Sequence, residues 1–173
     1  MAGYKFGASS KARLEQLDPR IQEILNEAIG TSPFDFKITQ GKRTYDEQFD
    51  LWKKGRKWNP ELGEETSPEA WEIGGDGSVV TKTMKSKHLS GRAFDIVALD
   101  KGAIDWKDTE KYKKIATHLY KTAKSLGYEK DFQWGGDWKY NWKDLPHYEI
   151  REKKASDVSA IIQQWNKEDN IFA

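Results

Sequence analysis

The stretch from Ser86 to Ala98, SKHLSGRAFDIVA, places a carboxylate inside an apolar run that is typical of a central strand with both faces buried. An ionised carboxylate is costly to bury unless it is paired, protonated, at a sheet edge or bound to a metal ion. His88, seven residues before Asp95, is the obvious companion, because HLSG predicts a tight turn and Gly91 leaves room for the chain to fold back. The stretch therefore predicts a central strand with a charged site beside it.

Periodicity and capping residues predict the remaining elements. Helices are expected after Asp18, after Asp108 and from the capping box of Thr44 and Glu47, with a shorter helical turn near Ser9 or Ser10. Short apolar or alternating runs predict strands at residues 34–41, 92–99, 132–136 and 147–151, with a further short strand at 78–83, and residues 156–165 predict a closing helix. The order of these elements favours an α+β domain with a small, mainly antiparallel sheet and flanking helices.

Composition limits the classes of function. Lys and Arg total 29 against 28 Asp and Glu, so no global positive field is present to attract nucleic acid or an anionic membrane. Cysteine is absent, which excludes disulfides, thiolate metal sites and a cysteine nucleophile. No apolar segment predicts an export signal or a membrane span. We expect a monomer with one domain over residues 1–173, in which residues 53–85 form a long loop or flap, or a disordered insertion.

A second histidine completes a predicted metal site. In DLPHYEIR, Tyr148 and Ile150 alternate towards the core, which turns His147 and Glu149 to the opposite face of the strand. Two histidines and one aspartate suit a single Zn²⁺ ion in an open catalytic site, which lowers the pKa of a water molecule towards about 7. Asp144, three residues before His147, is the candidate base.

These motifs resemble the zinc peptidases of the D-alanyl-D-alanine carboxypeptidase and VanY type, which include bacteriophage L-alanyl-D-glutamate endopeptidases. SKHLSGRAFD is similar to the family pattern Ser-x-His-x-x-Gly-x-Ala-x-Asp, and DLPH to its acidic residue three before a second histidine. QGKRT and the tryptophan-glycine run FQWGGDWK add to the resemblance, which extends from about residue 5 to 151. It implies the fold of the hedgehog and DD-peptidase domains. Some relatives also carry a separate wall-binding module, but none is expected here, because the roughly 20 residues after the site predict a single packing helix.

The resemblance also implies roles for individual residues. His88, Asp95 and His147 would bind zinc, and Asp144 would be the general base that passes its proton to the leaving amine. Arg43 would bind the scissile carbonyl oxygen as charge develops there. Two further residues, Gln48 and Ser86, are expected to contact substrate or to support the residues that do.

Several alternatives stay open for individual residues. Glu149 is a competing base or ligand, although support of His147 is the favoured role. His118 is predicted to be an exposed or edge residue of its helix, and residues 53–57, KKGRK, a solvated face. Four aromatic residues fit either a wall for a glycopeptide or the core: Trp134, Trp138, Tyr140 and Trp142.

The predicted substrate is the peptide stem of bacterial peptidoglycan, cleaved at the L-alanyl-D-glutamate bond by a phage endolysin. The alternatives are a D-alanyl-D-alanine carboxypeptidase or dipeptidase, a zinc-stabilised binding module without catalysis, and a non-haem iron oxygenase. Without an export signal, such an endolysin would accumulate in the host cytoplasm and reach the periplasm or cell wall after release.

Overall fold

The computed structural model describes residues 3–139 and 143–153, which form a mixed α+β fold. Four helices precede or separate the strands: α1 (Ala8–Leu14), α2 (Pro19–Ile29), α3 (Tyr45–Lys53) and α4 (Thr109–Ser125). The strands are β1 (Phe36–Gln40), β2 (Arg56–Trp58), β3 (Trp71–Ile73), β4 (Ala93–Asp100), β5 (Ala103–Asp105), β6 (Phe132–Trp134) and β7 (His147–Ile150). Short 3₁₀ turns lie at Pro68–Ala70, Lys87–Ser90 and Gly135–Asp137. The prediction of an α+β fold is confirmed.

The main sheet has the order β1-β4-β7-β6, and β5 also pairs with β4. All of these pairings are antiparallel. The strand β4 is central, as the apolar run around Asp95 predicts, because β1 and β7 pair along its two edges. In the register of β4 and β7, Asp95 lies directly opposite His147, and Ala93 lies opposite Glu149. Residues opposite each other on neighbouring strands point to the same face, so the pairing brings these polar side chains together.

The helices α2, α3 and α4 begin where their capping residues predict, whereas α1 begins at Ala8, after Gly7 and without a side-chain cap. The carboxylate of Asp18 accepts a hydrogen bond from the backbone N–H of Arg20, and that of Asp108 accepts from Glu110 and Lys111. The hydroxyl of Thr44 accepts from the backbone N–H of Glu47 and caps α3. These caps satisfy N–H groups that have no partner inside their helices.

One face of the sheet packs against α2 and α4 to form the core. Phe94, Phe132 and Tyr148 stack on this face, with the ring centroids of Phe94 and Tyr148 5.2 Å apart. Burying an aromatic side chain of this size contributes roughly 1.5–3 kcal/mol. Tyr148 and Ile150 are fully buried on this face. Because side chains alternate along a strand, His147 and Glu149 face the other side of the sheet.

Residues 53–85 contain regular structure that periodicity did not reveal. The strands β2 and β3 form a small antiparallel pair, and the predicted strand at residues 78–83 is wrong, because this segment is irregular. The prediction of a solvated face at residues 53–57 is also wrong for Arg56, which is only 8% exposed. Its guanidinium stacks 3.6 Å from the centroid of the Trp52 ring and donates to the carbonyl oxygens of Trp52 and Thr81.

Two further predictions concern the closing helix and membrane-spanning segments. The closing helix predicted at 156–165 lies outside the described residues, as do Tyr140 and Trp142. Across 3–139 and 143–153, none of the helices combines the length and apolar character that crossing a bilayer requires.

Candidate metal centre and active site

Three predicted ligands meet on the sheet face opposite the core. His88, Asp95 and His147 each offer an atom, and these atoms lie within 4.8 Å of one another. Oδ1 of Asp95 lies 3.1 Å from Nδ1 of His147 and 3.6 Å from Nε2 of His88. Within the described ranges these are the residues whose carboxylate and imidazole groups cluster closely enough to bind a metal ion together.

In each of the two histidines, the ring nitrogen that does not face Asp95 has its own hydrogen-bond partner. Nδ1 of His88 lies 2.9 Å from the carbonyl oxygen of Gly41, and Nε2 of His147 lies 3.1 Å from Oε1 of Glu149. An oxygen acceptor at one nitrogen holds the proton there and leaves the other nitrogen free as a ligand. The atoms that face a common point are therefore Nε2 of His88, Nδ1 of His147 and the Asp95 carboxylate.

Local structure places His88 at the start of the site. Ser86 caps the 3₁₀ turn at Lys87–Ser90, and its Oγ accepts a hydrogen bond from the backbone N–H of His88. Gly91 ends the turn with φ 72°, in the left-handed region. An added Cβ at Gly91 would lie 2.8 Å from the carbonyl oxygen of Gln16, so glycine is required there for both its conformation and its size.

The charges around the triad depend on one another. Burial raises the pKa of the Asp95 carboxyl, but hydrogen bonds to His147 and His88 outweigh this and hold the pKa well below its ordinary value. Burial disfavours charged His147, but the hydrogen bonds to Asp95 and Glu149 raise its pKa to about 9. The pKa of Glu149 falls to about 2, because bonds to His147 and to the Lys87 ammonium outweigh its burial.

Asp144 lines the same cleft as the three candidate ligands. Its carbonyl oxygen accepts from the backbone N–H of His147, and its own N–H donates to the carbonyl oxygen of Gly135. Burial, and then the charge of Asp95, raise the pKa of the Asp144 carboxyl above its ordinary value. Among the described residues no side chain donates a hydrogen bond to this carboxylate, whereas Glu149 is bound to both His147 and Lys87.

The cleft holding these groups has a volume of about 500 Å³. Arg43 lines it, and the Nη1 atom of Arg43 donates to Oε1 of Gln48 at 2.7 Å. Burial lowers the pKa of the Arg43 guanidinium from its ordinary value. The other cationic side chains that line the cleft are Lys82, Lys85 and Lys87.

The other residues of the predicted site are separated by the fold. Gln48 is fully buried and contacts Arg43 rather than the open cleft. Trp134 belongs to the core, whereas Trp138 lines the cleft, with its ring 5.2 Å from that of His147. His118 lies away from the triad, where its Nε2 meets the carbonyl oxygen of Ala28.

Sequence reasoning missed two partners in the site. Lys87, which pairs with Glu149, is adjacent to His88 in the sequence, but no spacing rule links it to a residue 62 positions later. The carbonyl oxygen of Gly41 that binds His88 carries no side-chain signal at all, although it lies within the motif QGKRT.

An open cluster of two imidazoles and an aspartate, with a further carboxylate and an arginine beside it, is the arrangement of a metal-dependent hydrolase. A profile of the family described as phage L-alanyl-D-glutamate peptidase matches residues 2–61 and 66–161. The chain belongs to this family and is therefore a peptidase, as the resemblance of its motifs predicts.

Known relatives agree with this assignment. The chain is 30% identical over 135 residues to the L-alanyl-D-glutamate peptidase of Escherichia phage T5. This match covers 78% of this chain and 82% of the phage protein. It is 31% identical, also over 135 residues, to the peptidoglycan L-alanyl-D-glutamate endopeptidase CwlK of Bacillus subtilis, covering 74% and 68% of the two chains.

A solved structure supports the fold. The crystal structure of the L-Ala D-Glu endopeptidase ChiX of Serratia marcescens matches with a TM-score of 0.65 and 24% identity. The match covers 85% of this chain and 90% of ChiX, so the likeness includes most of the architecture described above.

Proposed function

We propose that this chain is a zinc-dependent endopeptidase that cleaves the L-alanyl-D-glutamate bond in the peptide stem of bacterial peptidoglycan, as a phage endolysin. The observation that carries the proposal is the meeting of His88, Asp95 and His147 with Asp144 and Arg43 in one cleft. The phage and bacterial relatives named for this bond support the choice of substrate. One continuous core and a family match over most of the chain support a single catalytic domain.

The donor set fits Zn²⁺. Two imidazole nitrogens and one carboxylate are borderline and hard ligands, and three protein ligands leave a position open, as in catalytic zinc sites. The oxygen partners at Gly41 and Glu149 orient both imidazoles in the way that metal-binding histidines require. When bound, zinc would act as a Lewis acid that lowers the pKa of a water molecule and polarises a carbonyl oxygen.

Asp144 is the proposed general base. Its carboxylate lies in the cleft, and its raised pKa brings it closer to the pH at which proton transfer is efficient. It would accept a proton from the attacking water at one carboxylate oxygen and donate it to the nitrogen of the leaving amine. Glu149 is less suited to this role, because it is already bound to His147 and Lys87.

Arg43 is the proposed donor to the scissile carbonyl oxygen. Only Nη1 has a side-chain partner among the described residues, so the guanidinium has further N–H groups that could donate to a substrate oxygen. A preoriented donor in a partly enclosed cleft stabilises charge that develops on the oxygen in the transition state. Ser86 would hold His88 in position, because its Oγ accepts a hydrogen bond from the backbone N–H of His88.

The basic wall of the cleft fits the proposed substrate. A glutamate residue has two carboxyl groups, and only one of them forms the next amide bond. A free carboxylate therefore lies near the scissile nitrogen, and Lys82 and Lys85 line the same cleft. Such a charge would bind favourably to ammonium groups in a partly enclosed site.

Digestion of purified peptidoglycan, with mass analysis of the fragments, tests the proposal. We expect a new D-glutamate amino terminus and no release of D-alanine, and release of D-alanine would support the carboxypeptidase alternative instead. Activity that is lost after chelation and restored by zinc but not by ferrous iron would support zinc as the metal ion of the site. Unchanged digestion by chelated protein would contradict a metal mechanism.

A further inference from the structure

The side chain of Gln48 lies between Arg43 and one wall of the cleft. It is fully buried, and its Oε1 accepts a hydrogen bond from Nη1 of Arg43 at 2.7 Å. Its Nε2 donates to the carbonyl oxygen of Thr83 at 2.7 Å and to Oγ1 of Thr81 at 3.2 Å. A guanidinium can only donate and a carbonyl oxygen can only accept, so these partners permit one orientation of the amide.

This amide orients the guanidinium of Arg43. The backbone N–H of Arg43 donates to the carbonyl oxygen of His88, which fixes the main chain beside the triad. Among the described residues, Gln48 is the one that forms a hydrogen bond with the side chain of Arg43, whereas the carboxylates of Asp95 and Glu47 act on it through their charge alone. The direction of the remaining donors of Arg43 therefore depends on Gln48.

The same amide holds the cleft wall, which we define as residues 80–85. Five of these six residues line the cleft, and the turn at Thr81 and Thr83 receives both hydrogen bonds from Nε2 of Gln48. From its other side, Nη1 of buried Arg56 donates to the carbonyl oxygen of Thr81 at 3.0 Å. The cleft wall and Arg43 thus share one anchor in α3.

We propose that Gln48 is a positioning residue that fixes Arg43 and the cleft wall relative to each other, without contacting the substrate. Removal of the amide would leave the metal ligands in place but release both the guanidinium and the wall. The proposal rests on the proposed function, because it assigns Arg43 to the scissile carbonyl oxygen. Misplacing a catalytic group by about 1 Å is enough to lower a rate by roughly 100-fold.

The test compares Gln48→Met with the wild-type chain. Methionine has a similar length but cannot donate or accept in the same way, so we expect kcat on a stem peptide to fall by about 10- to 100-fold. Zinc affinity, measured by competition with a chromophoric chelator, should stay at the wild-type value. In an Arg43→Ala background, the same change should lower kcat by less than about 3-fold, because the two residues act as one unit.

A matched control and a second variant separate the effect of Gln48 on Arg43 from its effect on the cleft wall. Gln22→Met removes two hydrogen bonds from an amide to the backbone carbonyl oxygens of Glu15 and Leu17, away from the cleft, and should leave kcat unchanged. Gln48→Glu keeps an acceptor for Arg43 but loses the donor to Thr83. We expect it to retain kcat within about 3-fold, while trypsin cleaves the chain faster after Lys82 or Lys85.

The outcomes distinguish this proposal from the proposed function. If the wild-type chain does not cleave the L-alanyl-D-glutamate bond, the proposed function fails whatever the variants do. If the wild-type chain cleaves it and Gln48→Met keeps its kcat, or loses zinc together with activity, the positioning role is wrong. Equal losses in the wild-type and Arg43→Ala backgrounds would also overturn it. If Gln48→Met does not fold, unchanged trypsin resistance of Gln48→Glu decides against the proposal.

Discussion

Nε2 of His147 lies 3.1 Å from Oε1 of Glu149, two residues further along the same strand, and the other carboxylate oxygen of Glu149 binds the ammonium of Lys87. Adjacent side chains on one face of a strand are two residues apart, so β7 itself supplies both the proposed ligand His147 and its support. We expect Glu149→Gln to weaken zinc binding by about 10- to 100-fold, as loss of a carboxylate that orients a ligating histidine does elsewhere. Metal titration measures this effect. Glu152→Gln, a change at an exposed carboxylate, is the control, and equal zinc affinities for the two variants would contradict the prediction.

Replacing Asp144 by Asn should separate metal binding from catalysis. Asparagine has nearly the same shape but cannot accept the proton, so we expect kcat to fall by about 100- to 10,000-fold with zinc content unchanged. Elemental analysis and a stem-peptide assay on the same sample measure both quantities. Near-normal turnover would remove Asp144 from the mechanism.

His147→Ala should lose zinc and activity together, because two remaining ligands do not hold a catalytic ion tightly. His118→Ala is the control, since His118 meets the carbonyl oxygen of Ala28 far from the triad. We expect this control to bind one zinc ion with wild-type affinity. Retention of stoichiometric zinc by His147→Ala would show that the metal is held elsewhere.

The small size of Gly135 keeps Asp144 in place. A Cβ at residue 135 would lie 2.3 Å from the carbonyl oxygen of Asp144, so an added methyl group must displace this backbone. We expect Gly135→Ala to lower kcat by at least about 10-fold and to weaken zinc binding less than His147→Ala does. Gly30→Ala is the matched control, because its Cβ would meet no atom within 4 Å, and it should be as active as the wild-type chain.

Asp18 gives the fold a dependence on pH that is separate from the site. Burial alone would raise the pKa of Asp18, but its hydrogen bonds and ion pair with Arg20 lower it below the ordinary value of 3.8. A lowered folded-state pKa contributes stability that is complete above 3.8 and is lost as the pH falls through the folded value. We expect Asp18→Ala to lower the free energy of unfolding by about 1–2 kcal/mol at pH 7. In urea unfolding, this difference should shrink below pH 3.8, and a constant difference down to about pH 3 would contradict the ion-pair account.

Much of the fold and of the candidate site could be predicted because each rests on local signals. The caps at Asp18, Thr44 and Asp108 define helix starts within one turn of sequence, and the alternation around Tyr148 defines which face of β7 is buried. The apolar run around Asp95 identified the central strand, and its motif with His88 and His147 identified the family.

Residues 53–85 show where this reasoning failed. Three-residue strands such as β2 and β3 are too short to display a period, and the buried position of Arg56 depends on stacking against Trp52 and on distant carbonyl oxygens. Neither property is recorded in the neighbouring residues, so the charged run at residues 53–57 predicts a solvated face although Arg56 is buried.

The sequence by itself determined which residues can bind a metal ion and on which side of each strand they lie, because those properties follow from residue type and from the two-residue repeat of a strand. Only the tertiary structure decided how these residues are held. The register that sets Asp95 opposite His147, the pairing of Lys87 with Glu149 and the hydrogen bonds from Gln48 to Thr81 and Thr83 all join residues far apart in sequence. Such pairings form only when separate elements pack together, and no local pattern encodes them.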